Sequence, residues 1–300
     1  MHCAQQFRGV RLVAMTTVHT PTPTAPSRGA GVALMSGSAL SNQSGAAIGS
    51  LAFDIITPAG VVAVRQWLAA VLLLALTRPR LRELTRAQWR LVIALAAVFA
   101  VINLALYSAI DHIGLGLAVT LEFLGPLAVA LAGSRRRTDL GCALLAATGV
   151  AVLMRPQPTT DYLGMGLALL AAVCWACYIL LNRALGRSLP GAQGTATACG
   201  LSGLVFVPIG IAVLVTHPPT APALACAITA GVLSSAVPFL CDALALRHVP
   251  APLFAIFMSL NPVLAATTGM LILDQHLDAA QWASIAAIVT ANATTILTRR

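Results

Sequence analysis

Along almost the whole of this chain, apolar runs of roughly 20 residues recur, each long enough to cross a ~30 Å hydrocarbon core as a helix rising about 1.5 Å per residue. With 58% hydrophobic and only 9% charged residues in 300, the chain cannot build a water-soluble surface, which needs about 25% charge. The runs place spans at about 31–53, 57–77, 91–110, 113–132, 140–154, 163–182, 194–216, 221–243, 251–273 and 279–297. The first is the most polar at its outset, through Ser36, Ser38, Ser41, Asn42, Gln43 and Ser44. The connections are short, as between antiparallel neighbours. The expected fold is an all-α integral membrane protein with ten transmembrane helices, and the lipid bilayer is its first partner.

A net charge of +9 in a soluble protein would suggest nucleic acid, but here the 18 basic residues, all Arg, sit almost entirely in short loops. One set of loops holds Arg8, Arg11 and Arg28; Arg78, Arg80, Arg82, Arg86 and Arg90; Arg135, Arg136 and Arg137; Arg183 and Arg187; Arg247; and Arg299 and Arg300. The opposite set holds Asp54, Asp111, Asp161, Asp274 and Asp278 with Arg155 alone, and Arg65 lies within a span. This alternation fits ten spans, and the Arg-rich side is expected to be cytoplasmic, with both termini on it. Residues 1–30 read as a disordered cytoplasmic tail: Thr16–Pro26 is rich in Thr and Pro, and no apolar core of a signal peptide is present. The all-Arg, Ala-rich composition points to a GC-rich bacterial genome, and the expected location is the bacterial inner membrane. Without Lys the chain cannot form a nucleotide-binding P-loop, so ATP-driven transport by this chain alone is not expected. No nucleic-acid partner is expected either.

The two halves are weakly alike. A shift of 136 residues lays Ala109-Ile110-Asp111-His112-Ile113 over Ala245-Leu246-Arg247-His248-Val249, Leu124-Gly125-Pro126 over Leu260-Asn261-Pro262, and Gly133 over Gly269. Five spans per half is an odd number, so residues 31–154 and 163–298 read as two five-helix repeats of opposite orientation. Inverted repeats are the recurrent plan of secondary transporters, which bind solute near the midplane between the halves.

Ionisable groups at membrane depth are costly and therefore candidates for function. Three occur: Arg65 in the second span, Glu122 in the fourth and Asp242 near the end of the eighth. Arg65 and Glu122 lie at similar depth, so an ion pair between them, or a shared solute contact, is open. Asp242 is also placed to reach the interface and pair with Arg247. Gly125 and Pro126 are expected to break the fourth span and free backbone groups beside Glu122. Asn103, Tyr107, Trp175, Tyr178, Asn182, Ser234, Ser235, Ser259 and Asn261 are further candidates to line a midplane cavity. Trp175, Tyr178 and Asn182 share one helix face by their spacing, which suits either an amphipathic ligand or a packed interface.

Other motifs are read as structural. Seven Cys make an odd set and all but Cys3 lie in apolar runs, so no disulfide framework is expected and Cys174-Trp175-Ala176-Cys177 reads as packing. Gly45-Ala46-Ala47-Ile48-Gly49 permits a close helix crossing. The sequons Asn42-Gln43-Ser44 and Asn292-Ala293-Thr294 lie at membrane depth and are discarded. No H-E-x-x-H or G-x-S-x-G spacing occurs. No metal, no cofactor and no enzymatic activity are expected.

Four blocks resemble a known family: Ala118-Val119-Thr120-Leu121-Glu122-Phe123-Leu124-Gly125-Pro126-Leu127-Ala128-Val129-Ala130-Leu131, Cys174-Trp175-Ala176-Cys177-Tyr178-Ile179-Leu180, Phe206-Val207-Pro208-Ile209-Gly210, and Met258-Ser259-Leu260-Asn261-Pro262. They are similar to the EamA-type half-repeats of the drug/metabolite transporter superfamily, from about residue 36 to the end. The resemblance implies a ten-helix inverted-repeat carrier exporting small metabolites, amino acids such as threonine or homoserine first, with the proton gradient as driver. It leaves open a monomer or a homodimer. Where the family usually has Glu-Pro in the ninth span this chain has Asn261-Pro262, and where it has Glu after that span this chain has Asp274. Glu122 then leads as proton carrier, with Asp242 second. The expected cycle has Arg65 attracting a substrate carboxylate and Glu122 its ammonium. Efflux of drugs, purines or other solutes is the nearest alternative, and a channel or receptor-like module without coupled transport is the alternative of a different class.

Overall fold

A computed structural model describes residues 28–132, 137–153, 161–189, 193–238, 241 and 258–297. Among them there is no strand. The first half comprises α1 (Arg28–Ser50), α2 (Phe53–Thr77), α3 (Arg86–Ile113), α4 (Leu115–Glu122), α5 (Leu124–Ala132) and α6 (Arg137–Leu153). The second comprises α7 (Tyr162–Gly186), α8 (Gln193–Thr216), α9 (Ala221–Gly231), α10 (Asn261–Leu273) and α11 (Ala279–Leu297). With α4 and α5 taken as one interrupted span, these elements account for ten helical runs. Four, α2, α3, α7 and α8, are by length and composition apolar enough to cross a membrane.

The ends follow from local chemistry. Pro58 opens the long part of α2 after Thr57, whose φ of 56° breaks the helix there. A proline is tolerated at a first helical position because the N–H it lacks would have had no helical partner. Thr85 and Gln88 form a capping box at the start of α3, the Thr85 hydroxyl accepting from the Gln88 N–H and the Gln88 side chain accepting from the Thr85 N–H at 2.8 Å. Asp161 caps α7.

Two departures from the expected spans bear on the site. The fourth span breaks at Phe123, before Gly125 and Pro126, which both lie in the first turn of α5. The eighth run does not stay α-helical: α9 passes at Val232 into a π-turn that reaches Ala236. Such a turn carries one extra residue and leaves carbonyls open to other partners. The N-terminal part of the ninth span, Asp242 and Arg247 lie outside the described residues.

Small residues set the crossings. Gly45 and Gly49 bring α1 onto the α9 end, where a Cβ on Gly49 would meet that of Ala230 at 2.9 Å. Gly203 and Gly210 of α8 do the same against Ala70, Ala63 and Trp67 of α2, and the Gln66 amide donates to Ser202 at 2.6 Å across that contact. The most extensive pairings are α3 with α7, α2 with α8 and α6 with α11, and α1 packs on both α9 and α10. Large apolar side chains such as Val71, Leu204, Val215 and Leu271 stand exposed on the outer surface, as a lipid-facing protein requires.

Candidate functional site

Three of the hollows among the described residues bear on a possible site. The first, about 410 Å³, is a largely apolar groove between α2 and α8 lined by Trp67, Leu74, Trp89, Thr197 and Leu201. With no charged side chain in its lining, it offers little to orient a zwitterionic solute. The second is a vestibule of about 460 Å³ bordered by Arg65, Asn103, Tyr178, Thr195, Ser234 and Ser235. It follows α2 from Arg65 to Leu76, next to the Arg-rich loop that begins at Arg78. The third is a chamber of about 130 Å³ on the other side of Arg65, where Gln43, Tyr107, Glu122, Phe123, Trp175 and Asn261 meet.

The chamber is built by interruptions in helices. Glu122 is the last residue of α4, and its side chain is placed in the chamber with only 6% of its surface exposed. Phe123, at the break, packs edge-on against Trp175 of α7 with ring centroids 4.7 Å apart. The break survives close packing because Gly125 lets α5 approach the Ala172 carbonyl of α7, a space that a Cβ would fill. Opposite, Asn261 opens α10. Its amide donates to the Met258 carbonyl at 2.8 Å, and its carbonyl accepts from Gln43 of α1 at 3.0 Å.

Arg65 is held by the other side of the site. Its guanidinium donates to the Asn103 side-chain oxygen at 2.7 Å and to the Ser234 carbonyl of the π-turn at 3.4 Å. The Asn103 amide in turn donates to the Phe99 carbonyl at 2.8 Å, fixing which end faces Arg65. The Arg65 carbon lies 5.1 Å from the centre of the Tyr107 ring, a cation–π arrangement. The π-turn is tied to α1 by Ser41 donating to the Leu233 carbonyl and Ser234 donating to the Asn42 carbonyl, at 2.8 and 3.0 Å. Four buried side-chain donors have no partner among the described residues, Trp67 Nε1, Asn182 Nδ2, Arg65 Nε and the Tyr107 hydroxyl, and the last two belong to residues that line the chamber. Buried donors left unmatched are costly, and the Arg65 and Tyr107 donors flank one chamber.

The arrangement corrects part of the sequence reading. The direct Arg65–Glu122 ion pair does not form, because Asn103 and the π-turn carbonyl take the guanidinium; the ion pairs among the described residues are Arg80–Glu83, His112–Asp161 and Asp274–His276. Trp175, Tyr178 and Asn182 share a face yet end in three surroundings. Trp175 borders the chamber, Tyr178 borders the vestibule and packs on Phe99 at 5.4 Å, and the Asn182 carbonyl accepts from Thr195 at 2.8 Å. Ser259 is buried at the break before α10 and does not line the chamber. Gln43, read only as polarity in a weak first span, belongs to the chamber. The signal was there, since a long polar side chain well inside an apolar run needs a partner. At the end of α3, outside the membrane-spanning part, His112 meets Asp161 at 2.7 Å. The Gly164 N–H, and then His112, hold that carboxyl below the usual Asp range. Among the described residues no group of His, Cys, Asp and Glu gathers as a metal site.

The comparisons agree with this architecture. The model of the EamA-like transporter family matches residues 162–297. Two curated relatives are both called threonine/homoserine exporter RhtA. The protein of Salmonella typhimurium is 33% identical over 261 residues, spanning 86% of this chain and 88% of its own. That of Escherichia coli strain K12 is 33% identical over 264 residues, with the same two coverages. One protein solved by crystallography superposes with a TM-score of 0.61 at 18% identity, covering 91% of this chain and 98% of its own, a likeness of fold.

Proposed function

Because the chain belongs to the EamA-like transporter family, we propose that it is a secondary exporter of small zwitterionic metabolites, threonine and homoserine first, working by proton antiport across a bacterial inner membrane. The observation that carries the reading is the chamber. Arg65 and Glu122 both border it and form no ion pair with each other, which suits a solute that puts a carboxylate beside one and an ammonium beside the other. Arg65 Nε and the Tyr107 hydroxyl are the donors for the carboxylate, Glu122 is the acceptor for the ammonium, and Trp175 packs on the solute's carbon chain. Asn103 holds Arg65, Tyr178 borders the way in, and Asn182 supports the α7–α8 contact. Glu122 doubles as proton carrier: protonated, it releases its hold on the ammonium. Asp242 stands second in that role, and Asn261 contributes a neutral contact in place of a second acid.

The pairing of helices supports a cycle by inverted repeats. Exchanging each span of one half with its counterpart in the other maps α3 on α7 to α9 on α1, and α1 on α10 to α4 on α7, while α2 on α8, α4 on α10 and α6 on α11 map to themselves. Rocking about such a pseudo-two-fold exposes a midplane chamber to each side in turn. With the Arg-rich loops and both termini cytoplasmic, the vestibule is the cytoplasmic entrance. Its apolar walls at Leu72, Leu73 and Leu76, with Phe99, favour a second reading in which amphipathic solutes also pass.

The test is efflux of preloaded radiolabelled threonine and homoserine from cells carrying the wild type or Glu122→Gln, with and without an imposed pH gradient. Export by the wild type that answers to the gradient, and loss of that answer in Glu122→Gln, is expected. Wild-type protein present in the membrane that exports neither solute refutes the amino-acid reading.

A further inference from the structure

Arg65 is the one residue that lines both the vestibule and the chamber. Its guanidinium is held there by Asn103 on α3 and by the Ser234 carbonyl on the π-turn, while the Tyr107 ring covers one face. We infer that the latched Arg65 side chain is the partition between the two spaces and that a carboxylate is the key that opens it, so that Asn103 and Ser234 set which solutes enter.

A guanidinium released from both acceptors loses two charge-assisted hydrogen bonds whose partners are fixed in place. A neutral or cationic solute arriving from the vestibule offers nothing in exchange, and its passage bears that whole cost. A carboxylate offers two strong acceptor oxygens to the same planar fork. Arg65 can then leave Asn103 and Ser234 while remaining hydrogen-bonded, and the solute is drawn past Asn103 toward the unmatched Arg65 Nε and the Tyr107 hydroxyl. The hold is weaker on the π-turn side, at 3.4 Å against 2.7 Å, so Ser234 is the acceptor given up first. Selection at this step is for the carboxylate, before Glu122 reads the ammonium. The choice of amino acids as test solutes rests on the exporter reading above; the partition rests on the geometry of Arg65.

The test is cysteine accessibility in the full chain, with the native Cys replaced, in nanodiscs. Ser235→Cys reports the vestibule and Ala46→Cys the chamber, each reacted with a small charged thiol reagent. In the latched protein Ala46→Cys is expected to react about tenfold or more slowly than Ser235→Cys. Asn103→Ala is expected to remove most of that difference without any solute, the size expected for one charged hydrogen bond in a two-state opening. Threonine is expected to speed Ala46→Cys labelling, and threonine amide, which lacks the carboxylate, is not. Equal labelling of the two positions in the latched protein overturns the partition, and so does an Asn103→Ala variant, folded by its melting curve, that leaves the difference intact. Equal effects of threonine and its amide, or none from either, overturn the key. Failure of the exporter reading shows elsewhere, as absence of threonine counterflow in proteoliposomes.

Discussion

The same register of the two halves is interrupted twice, with different outcomes. Shifted by 136 residues, Glu122-Phe123-Leu124-Gly125-Pro126 overlies Met258-Ser259-Leu260-Asn261-Pro262, and the helix breaks at Phe123 in the first and at Ser259 and Leu260 in the second. In the first half the break delivers a carboxyl group to the chamber, and Gly125 beyond it is consumed in packing on the Ala172 backbone. In the second half the position of Gly125 is taken by Asn261, whose side chain is bound at both ends by Gln43 and Met258. One break therefore presents a group that can change its charge, and the other fastens α1 to α10. In the mechanism proposed above, the first of these breaks alone carries the switch.

Exchanging residues between the two breaks gives the largest expected effect. Gly125→Asn forces a side chain into the Ala172 carbonyl and is expected to cost more than about 3 kcal/mol, seen as loss of folded protein from the membrane. The reverse, Asn261→Gly, loses one amide's bonds and is expected to cost about 1–2 kcal/mol in thermal unfolding. If both are tolerated equally, the contrast between the breaks is not real. Next comes charge. On the proposed function, Glu122→Gln removes the acceptor for an ammonium, an expected loss of about 1.5–3 kcal/mol, roughly ten- to 150-fold in threonine affinity by scintillation proximity. Asn261→Leu is expected to change affinity far less. Smaller again is the clasp itself: Gln43→Leu and Asn261→Leu are each expected to cost about 0.6–1.7 kcal/mol of stability, and the double variant less than their sum, as coupled partners do.

The smallest effect lies at the end of α3. The carboxyl of Asp161 is held below its ordinary value of about 3.9 by the Gly164 N–H and His112. Its contribution is therefore present above that value and lost as pH falls through the lower, folded one. Melting temperature followed downward from neutral pH is expected to fall slightly more steeply below about pH 4 in the wild type than in Asp161→Asn. Identical curves refute the assignment.

The helical runs were legible because hydropathy and loop charge need no tertiary information. Arg65 and Glu122 were legible because a charge inside an apolar run is conspicuous by itself. Their relation was not. Arg65 is held by Asn103 from α3 and by a carbonyl of the π-turn at Val232–Ala236, and a one-residue irregularity in a run of Val, Leu, Ser and Ala leaves no mark in composition. The fate of Trp175, Tyr178 and Asn182 has a similar cause. Three positions on one face climb about 10 Å along the axis, enough to pass from the chamber through the vestibule level to a packed contact. Gln43 was hidden because its partner is 218 residues away.

That separation has a consequence for how the protein is made. The polar groups of α1 find their partners on Leu233 and Ser234, 192 residues later, and on Asn261. At a synthesis rate of about 5–20 residues per second, the first helix waits on the order of 10–40 s with Ser41 and Gln43 unmatched in an apolar surrounding. It is then a late joiner despite being the first made, and the insertion machinery, rather than the bilayer, has to shelter it until the second half emerges. A ribosome stalled after α7 should leave α1 extractable or degraded while α2 and α3 remain embedded.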